Sequence, residues 1–232
     1  MEGKLATAPG ERPARFPYAT WGPGAATIGL FVALSAQTVS GLVAFAFEPG
    51  AEDFSTAAMV VLQTFGAIAF VAIPLVIATM GRVPLGDALR RLGLRRFDSS
   101  AVPWMGVAIA AYLAFAAVYV ALVGEPEQED VAGSFGSWPV QVLLIVVAAP
   151  ISEEIFFRGM MFGGLRRRMP TLLAALISAV VFGGLHAGTG VSAVPPLIAF
   201  GFILALLYEK TGSIVPAILL HALNNSVALA AQ

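Results

Sequence analysis

Polar residues interrupt this chain rarely, and the interruptions are evenly spaced. No charged residue falls between Gly24 and Phe47. A short acidic break at 48–53 leads into a second apolar run, about 54–80, and a basic break precedes a third, about 101–123. A fourth run starts near Trp138 and passes into Ile151–Gly159, ISEEIFFRG; three more follow at about 171–186, 191–208 and 213–231. A helix needs ~20 mostly apolar residues to cross a bilayer. The pattern therefore predicts an all-α, polytopic membrane bundle of about seven transmembrane helices. The fifth and sixth are short and are expected to be tilted, partly re-entrant or buried by neighbours. Pro74, Pro150, Pro195, Pro196 and Pro216 are expected to kink or start helices, with neighbouring helices absorbing the freed carbonyls.

Composition agrees. Of the 232 residues, 58% are hydrophobic and 12% charged, with a mean hydropathy of +0.86. Soluble domains carry about 25% charged residues. Cysteine is absent, which excludes disulfides and thiolate metal sites. No Gly-rich phosphate loop and no basic patch with aromatics points to a nucleotide or nucleic acid. Residues 1–23 are polar and Pro-rich without an apolar core. They read as a disordered cytoplasmic arm rather than a cleavable signal peptide.

The placement of charge orients the bundle. Lys4, Arg12 and Arg15 precede the first span, and Arg82, Arg90, Arg91, Arg95 and Arg96 lie between the second and third. Arg158, Arg166, Arg167 and Arg168 end the fourth, and Lys210 ends the sixth; these are all 13 basic residues. With seven spans they share one side. The opposite links hold Glu48, Glu52 and Asp53, then Glu125, Glu127, Glu129 and Asp130. The positive-inside rule then gives a multi-pass cell-membrane protein with a cytoplasmic N-terminus and an outside C-terminus. Within the linker 81–100, Leu85–Phe97 is basic and amphipathic and is expected to lie along the cytoplasmic interface.

Charge inside the spans is the exception that needs a reason. An ionisable group deep in a bilayer costs ~2.5 kcal/mol or more and is a functional candidate by default. Glu154 and Arg158 are four apart, so they share a helix face and can pair. Glu153 lies ~100° around the helix, at 3.6 residues per turn, which leaves it the freer carboxylate and the better candidate base. Phe182 and His186 share a helix face, as do His221 and Asn225. Counted from the basic face along uninterrupted helices, Glu153, His186 and His221 lie at ~20, ~24 and ~15 Å, near enough to converge at mid-bilayer. Glu, two His and an Asn amide suit peptide hydrolysis: a carboxylate activates water, and imidazole and amide position it and stabilise the oxyanion. Glu153, His186 and His221 are also the chain's candidate metal set, since two His, a carboxylate and a water form an open zinc site.

EExxxR at Glu153–Arg158, FxxxH at Phe182–His186 and HxxxN at His221–Asn225 resemble the three motifs of the CPBP intramembrane proteases. That family includes the type II CAAX prenyl endopeptidases and the Abi bacteriocin-immunity proteins. The resemblance covers about 138–231 and implies a catalytic core of four helices, 138–232, around a polar cavity, with 24–137 as three variable N-terminal helices. It implies Glu153 as the water-activating base with His186 as its partner. It further implies His221 and Asn225 as an oxyanion or metal site, supported by Glu154, Arg158 and Phe182. It implies an intramembrane metalloendopeptidase acting on membrane-associated protein or peptide substrates, with Zn2+ or by a metal-free route, and with access from the cytoplasmic side. A non-catalytic scaffold of the same fold, in regulation or self-immunity, is the alternative. A proton-coupled transporter is a weaker one, because no paired repeat of broken helices is present.

Overall fold

A computed structural model describes residues 16–51, 53–80, 83–127 and 129–231. Lys4, Arg12, Arg15, Glu52 and Arg82 lie outside the described residues. The described chain is helical throughout. Helices α1 (Pro23–Phe47), α2 (Thr56–Thr79), α3 (Leu85–Arg91) and α4 (Ala101–Val123) precede a long helix, α5 (Trp138–Arg166). Then come α6 (Thr171–Gly184), α7 (Val194–Thr211) and α8 (Val215–Ala230). Among the described residues six helices are long and apolar enough to cross a membrane, α6 and α7 counting the short turns beside them; α8, with 16 residues, is the shorter seventh. Large apolar side chains on α1 and α4, such as Phe31, Leu42, Val102 and Leu122, are exposed. A soluble monomer rarely shows so continuous an apolar surface; here a bilayer covers it. The chain is a multi-pass membrane bundle.

The layers form around α5. It is one continuous helix but not a plain α-helix: Val142–Ala148 and Glu154–Phe162 have wider, π-type turns. Pro150 lies between them. It has no N–H to offer, and its ring crowds the carbonyl one turn back. Every residue of Glu154–Phe162 is buried. Phe156 stacks on Phe70 of α2 at 4.4 Å between ring centroids, and Phe157 meets Phe182 of α6 edge-on at 5.2 Å. The helix is thus enclosed from both sides by rings, in the offset and edge-to-face arrangements such rings prefer. Helices α6 and α7 pack closely at Gly183, where an added Cβ would lie 2.6 Å from Ile198 Cγ1 and 2.9 Å from Ile198 N.

The basic end differs from the expectation in two places. Residues 1–15 of the expected arm fall outside the described residues, but Phe16–Trp21 is packed rather than free. Trp21 is buried and its Nε1–H donates to Met160 O at 2.8 Å. Phe16 meets Tyr208 edge-on at 4.9 Å, and Tyr18 lies 3.9 Å under the Arg95 guanidinium. The linker helix is also shorter than the amphipathic pattern, stopping at Arg91. Gly93, at φ +84°, turns the chain, as glycine does just past a helix end. Leu94 N–H reaches back to Leu89 O at 3.0 Å. Leu92 is fully buried. Ser213 Oγ–H then donates to Arg95 O at 2.6 Å and Ile214 N–H to Gly93 O at 2.9 Å. The linker is therefore bound into the bundle's basic end instead of lying wholly on the interface.

Candidate active site

Glu154 and Arg158, one turn apart on α5, form an ion pair of 2.9 Å with essentially no exposed surface. Taking both charges out of water costs several kcal/mol unless other partners help. The structure supplies three. Arg158 Nη2 donates to Gly201 O of α7 at 3.1 Å. Its guanidinium lies 4.7 Å over the Phe182 ring of α6, a cation–π contact that strengthens when desolvated. Glu154 Oε1 also accepts from His221 Nδ1 of α8 at 2.9 Å. One buried pair thereby fastens three neighbouring helices to α5.

The bond to Glu154 fixes the His221 imidazole. A carboxylate paired with Arg158 only accepts, so the Nδ1 proton belongs to His221. Nε2 is turned toward Glu153 Oε2, 3.7 Å away. That gap is too long for a direct hydrogen bond, and a water touching both atoms would sit beside the line that joins them, on the cavity side. Two aromatic edges hold the ring in plane: Phe182 and Phe200 meet it at 85° with centroids 5.8 and 5.5 Å away. His186 is fixed in the same way. Its Nδ1 lies 2.8 Å from Phe182 O. A carbonyl cannot donate, so Nδ1 carries the proton and Nε2 keeps its lone pair. Asn225 Nδ2 donates to Ile145 O of α5 at 2.9 Å, leaving its second N–H uncommitted by that bond.

These groups meet at a cavity of about 320 Å³ whose wall includes Glu153, Phe182, His186, His221 and Asn225. The structure therefore brings together the expected catalytic residues Glu153, His186, His221 and Asn225. Glu154 and Arg158 lie behind that wall, fully buried. Of the two carboxylates it is Glu153 that keeps some exposure, 16% against 0%. Sequence reasoning missed other wall residues. Asn224 lines the cavity and approaches Asn225 Oδ1 with its amide at 3.5 Å. Gln63 of α2, Phe200 of α7 and Glu129 of the α4–α5 link also line it. The one legible signal for Gln63 was a lone amide inside an apolar run.

The metal set expected from sequence, Glu153, His186 and His221, is not assembled. Among the described residues no group of three or more His, Asp or Glu side chains is placed to share one ion. Glu153 and His221 come close, but His186 is held back at the end of α6 by the Phe182 carbonyl. The chemistry argued for this site therefore uses protein groups and water.

Residues 135–227 match the family Rce1-like type II CAAX prenyl endopeptidase. The match covers less than half of the chain, and the C-terminal core is similar to that family over this stretch. It is similar to the Bacillus subtilis protein named "Putative membrane peptidase YdiL", 34% identical over 94 residues, which are 40% of this chain and 38% of that protein. It is also similar to the Lactococcus lactis "UPF0177 protein YxdF", 30% identical over 92 residues, 39% of this chain and 50% of that one. The chain thus spans half or less of the curated relatives it matches. No solved structure matches it. All three motifs lie within the matched region, and α1–α4 lie before it.

Proposed function

We propose that this protein is an intramembrane endopeptidase that hydrolyses peptide bonds of membrane-associated proteins or peptides with a water activated by Glu153. The observation that carries the reading is the relay Arg158–Glu154–His221, which holds His221 Nε2 3.7 Å from Glu153 Oε2 on the wall of a cavity, where one water can contact both. In this mechanism Glu153 takes a proton from that water while the hydroxide forms its bond to the scissile carbonyl carbon. His221 Nε2, whose ring proton is on Nδ1, accepts from the same water and sets its orientation, while His186 lines the wall beside it. The free N–H of Asn225 donates to the oxyanion as the carbonyl bond opens. Glu153 then returns the proton to the leaving amine as the C–N bond breaks, so protons balance over the cycle. Glu154 and Arg158 touch no reacting atom and act by positioning His221.

The test is cleavage of quenched fluorescent peptides with apolar segments, incorporated in liposomes with the purified protein. Glu153→Gln keeps the side chain's shape and removes the base. Loss of a general base slows a reaction by about 10²–10⁴-fold, and the variant is expected to lose cleavage to that extent while keeping its thermal unfolding midpoint. Cleavage by the variant at the wild-type rate would remove the mechanism.

A further inference from the structure

The position of the cavity within the bundle says more than its lining. Each wall residue can be placed along its own helix. Ile145 and Ala149 belong to the part of α5 nearer Trp138, and Glu153 stands at its middle. Phe182 and His186 stand at the far end of α6 from Thr171, and Leu197 and Phe200 in the first part of α7. His221 lies in the first half of α8, Asn224, Asn225, Ala228 and Leu229 in its second half, and Gln63 in the first third of α2. The remaining wall comes from Glu129, Val131, Ala132, Phe135 and Thr189, in the α4–α5 and α6–α7 links. Glu153 and His221 form the floor of the cavity near mid-bundle, and the rest of its wall lies on the acidic side.

The opposite side is closed. Between the Glu154–Arg158 pair and the basic face lie Met160, Phe162, Leu92, Tyr208 and Ile214, all buried. Phe16 and Trp21 of the N-terminal segment cover that end from below. The two links at the acidic side are meanwhile joined to each other. Glu129 N–H donates to Thr189 O at 2.7 Å, Glu127 N–H to Ser192 Oγ at 2.9 Å, and Tyr119 O–H to Ser192 O at 2.6 Å. The rim of the cavity is thus a tied pair of links, with Glu129 exposed on it.

We infer that the cavity is entered from the face that carries the acidic links, opposite the Arg-rich face. Its substrate is then a polypeptide whose cleavable segment is presented at, or within the leaflet of, that face. This names the substrate class of the hydrolytic site and rests on that reading for the word substrate alone. With the Arg-rich face cytoplasmic, entry is from the non-cytoplasmic side, the reverse of what the family resemblance implies.

The absence of cysteine makes the test direct. Ala149→Cys, one turn from Glu153 on the cavity wall, and Ala228→Cys, nearer the rim, each give a single thiol in the full-length protein. Glu125→Cys and Ser99→Cys mark the acidic and basic faces. Each variant is placed in sealed vesicles and treated on one side at a time with a charged, membrane-impermeant methanethiosulfonate. Both cavity thiols are expected to react at least tenfold faster from the side that labels Glu125→Cys. Faster labelling from the Ser99→Cys side, equal labelling from both sides, or none in variants with wild-type unfolding midpoints would overturn the inference. Two cavity positions guard against one that fails to fold. The peptide assay fails separately: acidic-side labelling without cleavage removes the hydrolysis and keeps the route, and basic-side labelling with Glu153-dependent cleavage does the opposite.

Discussion

Arg158 is the largest fully buried side chain among the described residues, and its guanidinium is tolerable there only because Glu154 lies 2.9 Å away. The satisfaction is incomplete: Arg158 Nε and Glu154 Oε2 have no hydrogen-bond partner among the described residues. A pair of this kind is weak as a source of stability and expensive to break. Removing one partner of a buried pair typically costs about 3–5 kcal/mol, because a lone charge stays behind, whereas replacing both by apolar groups of similar volume is often neutral. Glu154→Ala and Arg158→Met are each expected to lower the unfolding midpoint in detergent sharply. Glu154→Leu combined with Arg158→Met is expected to recover most of the loss yet still slow cleavage, since His221 loses the acceptor that orients it. Strictly additive losses in the double variant would show that the two side chains do not act as a pair.

At the scale of helices, the two adjacent glycines ending α6 give opposite expectations. A Cβ at Gly183 meets the α7 backbone at Ile198 N and Val194 O, whereas a Cβ at Gly184 meets nothing within 4 Å. Overpacking a close contact typically costs ~1–3 kcal/mol. Gly183→Ala should therefore destabilise by about that much and shift His186, one turn onward. Gly184→Ala should be neutral or stabilise by up to about 1 kcal/mol, through the helix preference for alanine. Unfolding midpoints of the two variants check this directly, and equal effects would contradict the packing.

The same scale shows what the sequence could and could not reveal. The Glu154–Arg158 pair was legible because helical spacing alone puts residues four apart on one face. The choice of Glu153 as the carboxylate facing the cavity followed from the same geometry. That His221 bonds to Glu154 was not legible, since Nδ1 is aimed by the packing of α8 against α5. Gln63 and Glu129 were missed for a like reason: they reach the cavity from α2 and from a link, where no local pattern marks the inward side. Phe16–Trp21 read as part of a loose arm from its prolines and polar neighbours, and only tertiary contact shows that Trp21 is buried and that Phe16 and Tyr18 are half-buried.

For the whole molecule, the decisive asymmetry is that charge and cavity are segregated along the same axis. Apart from the buried Arg158, the basic residues of the described chain gather at one end, where Arg166 pairs with Glu209 at 2.9 Å, Arg167 reaches Thr20 O and Lys210 lies 5.1 Å over the Trp104 ring. Trp21 is part of that end and lies beyond the buried rings that close the cavity off. Trp21→Ala removes a buried indole and its bond to Met160 O, a change that typically costs ~3–5 kcal/mol. It is expected to lower the unfolding midpoint while leaving the side preference of Ala149→Cys labelling unchanged, because nothing at the cavity rim depends on it. The orientation of the axis is checked by fusing an alkaline phosphatase, active only outside the cytoplasm, after Ser99 or after Ser134. The positive-inside rule assigns the Arg-rich links to the cytoplasm, so the Ser134 fusion should be active and the Ser99 fusion silent. The reverse pattern would turn the whole bundle over and with it the compartment that supplies the substrate. The internal result, that the cavity faces away from the arginines, would stand in either orientation, because it is fixed by the packing of α5 to α8 and not by the membrane.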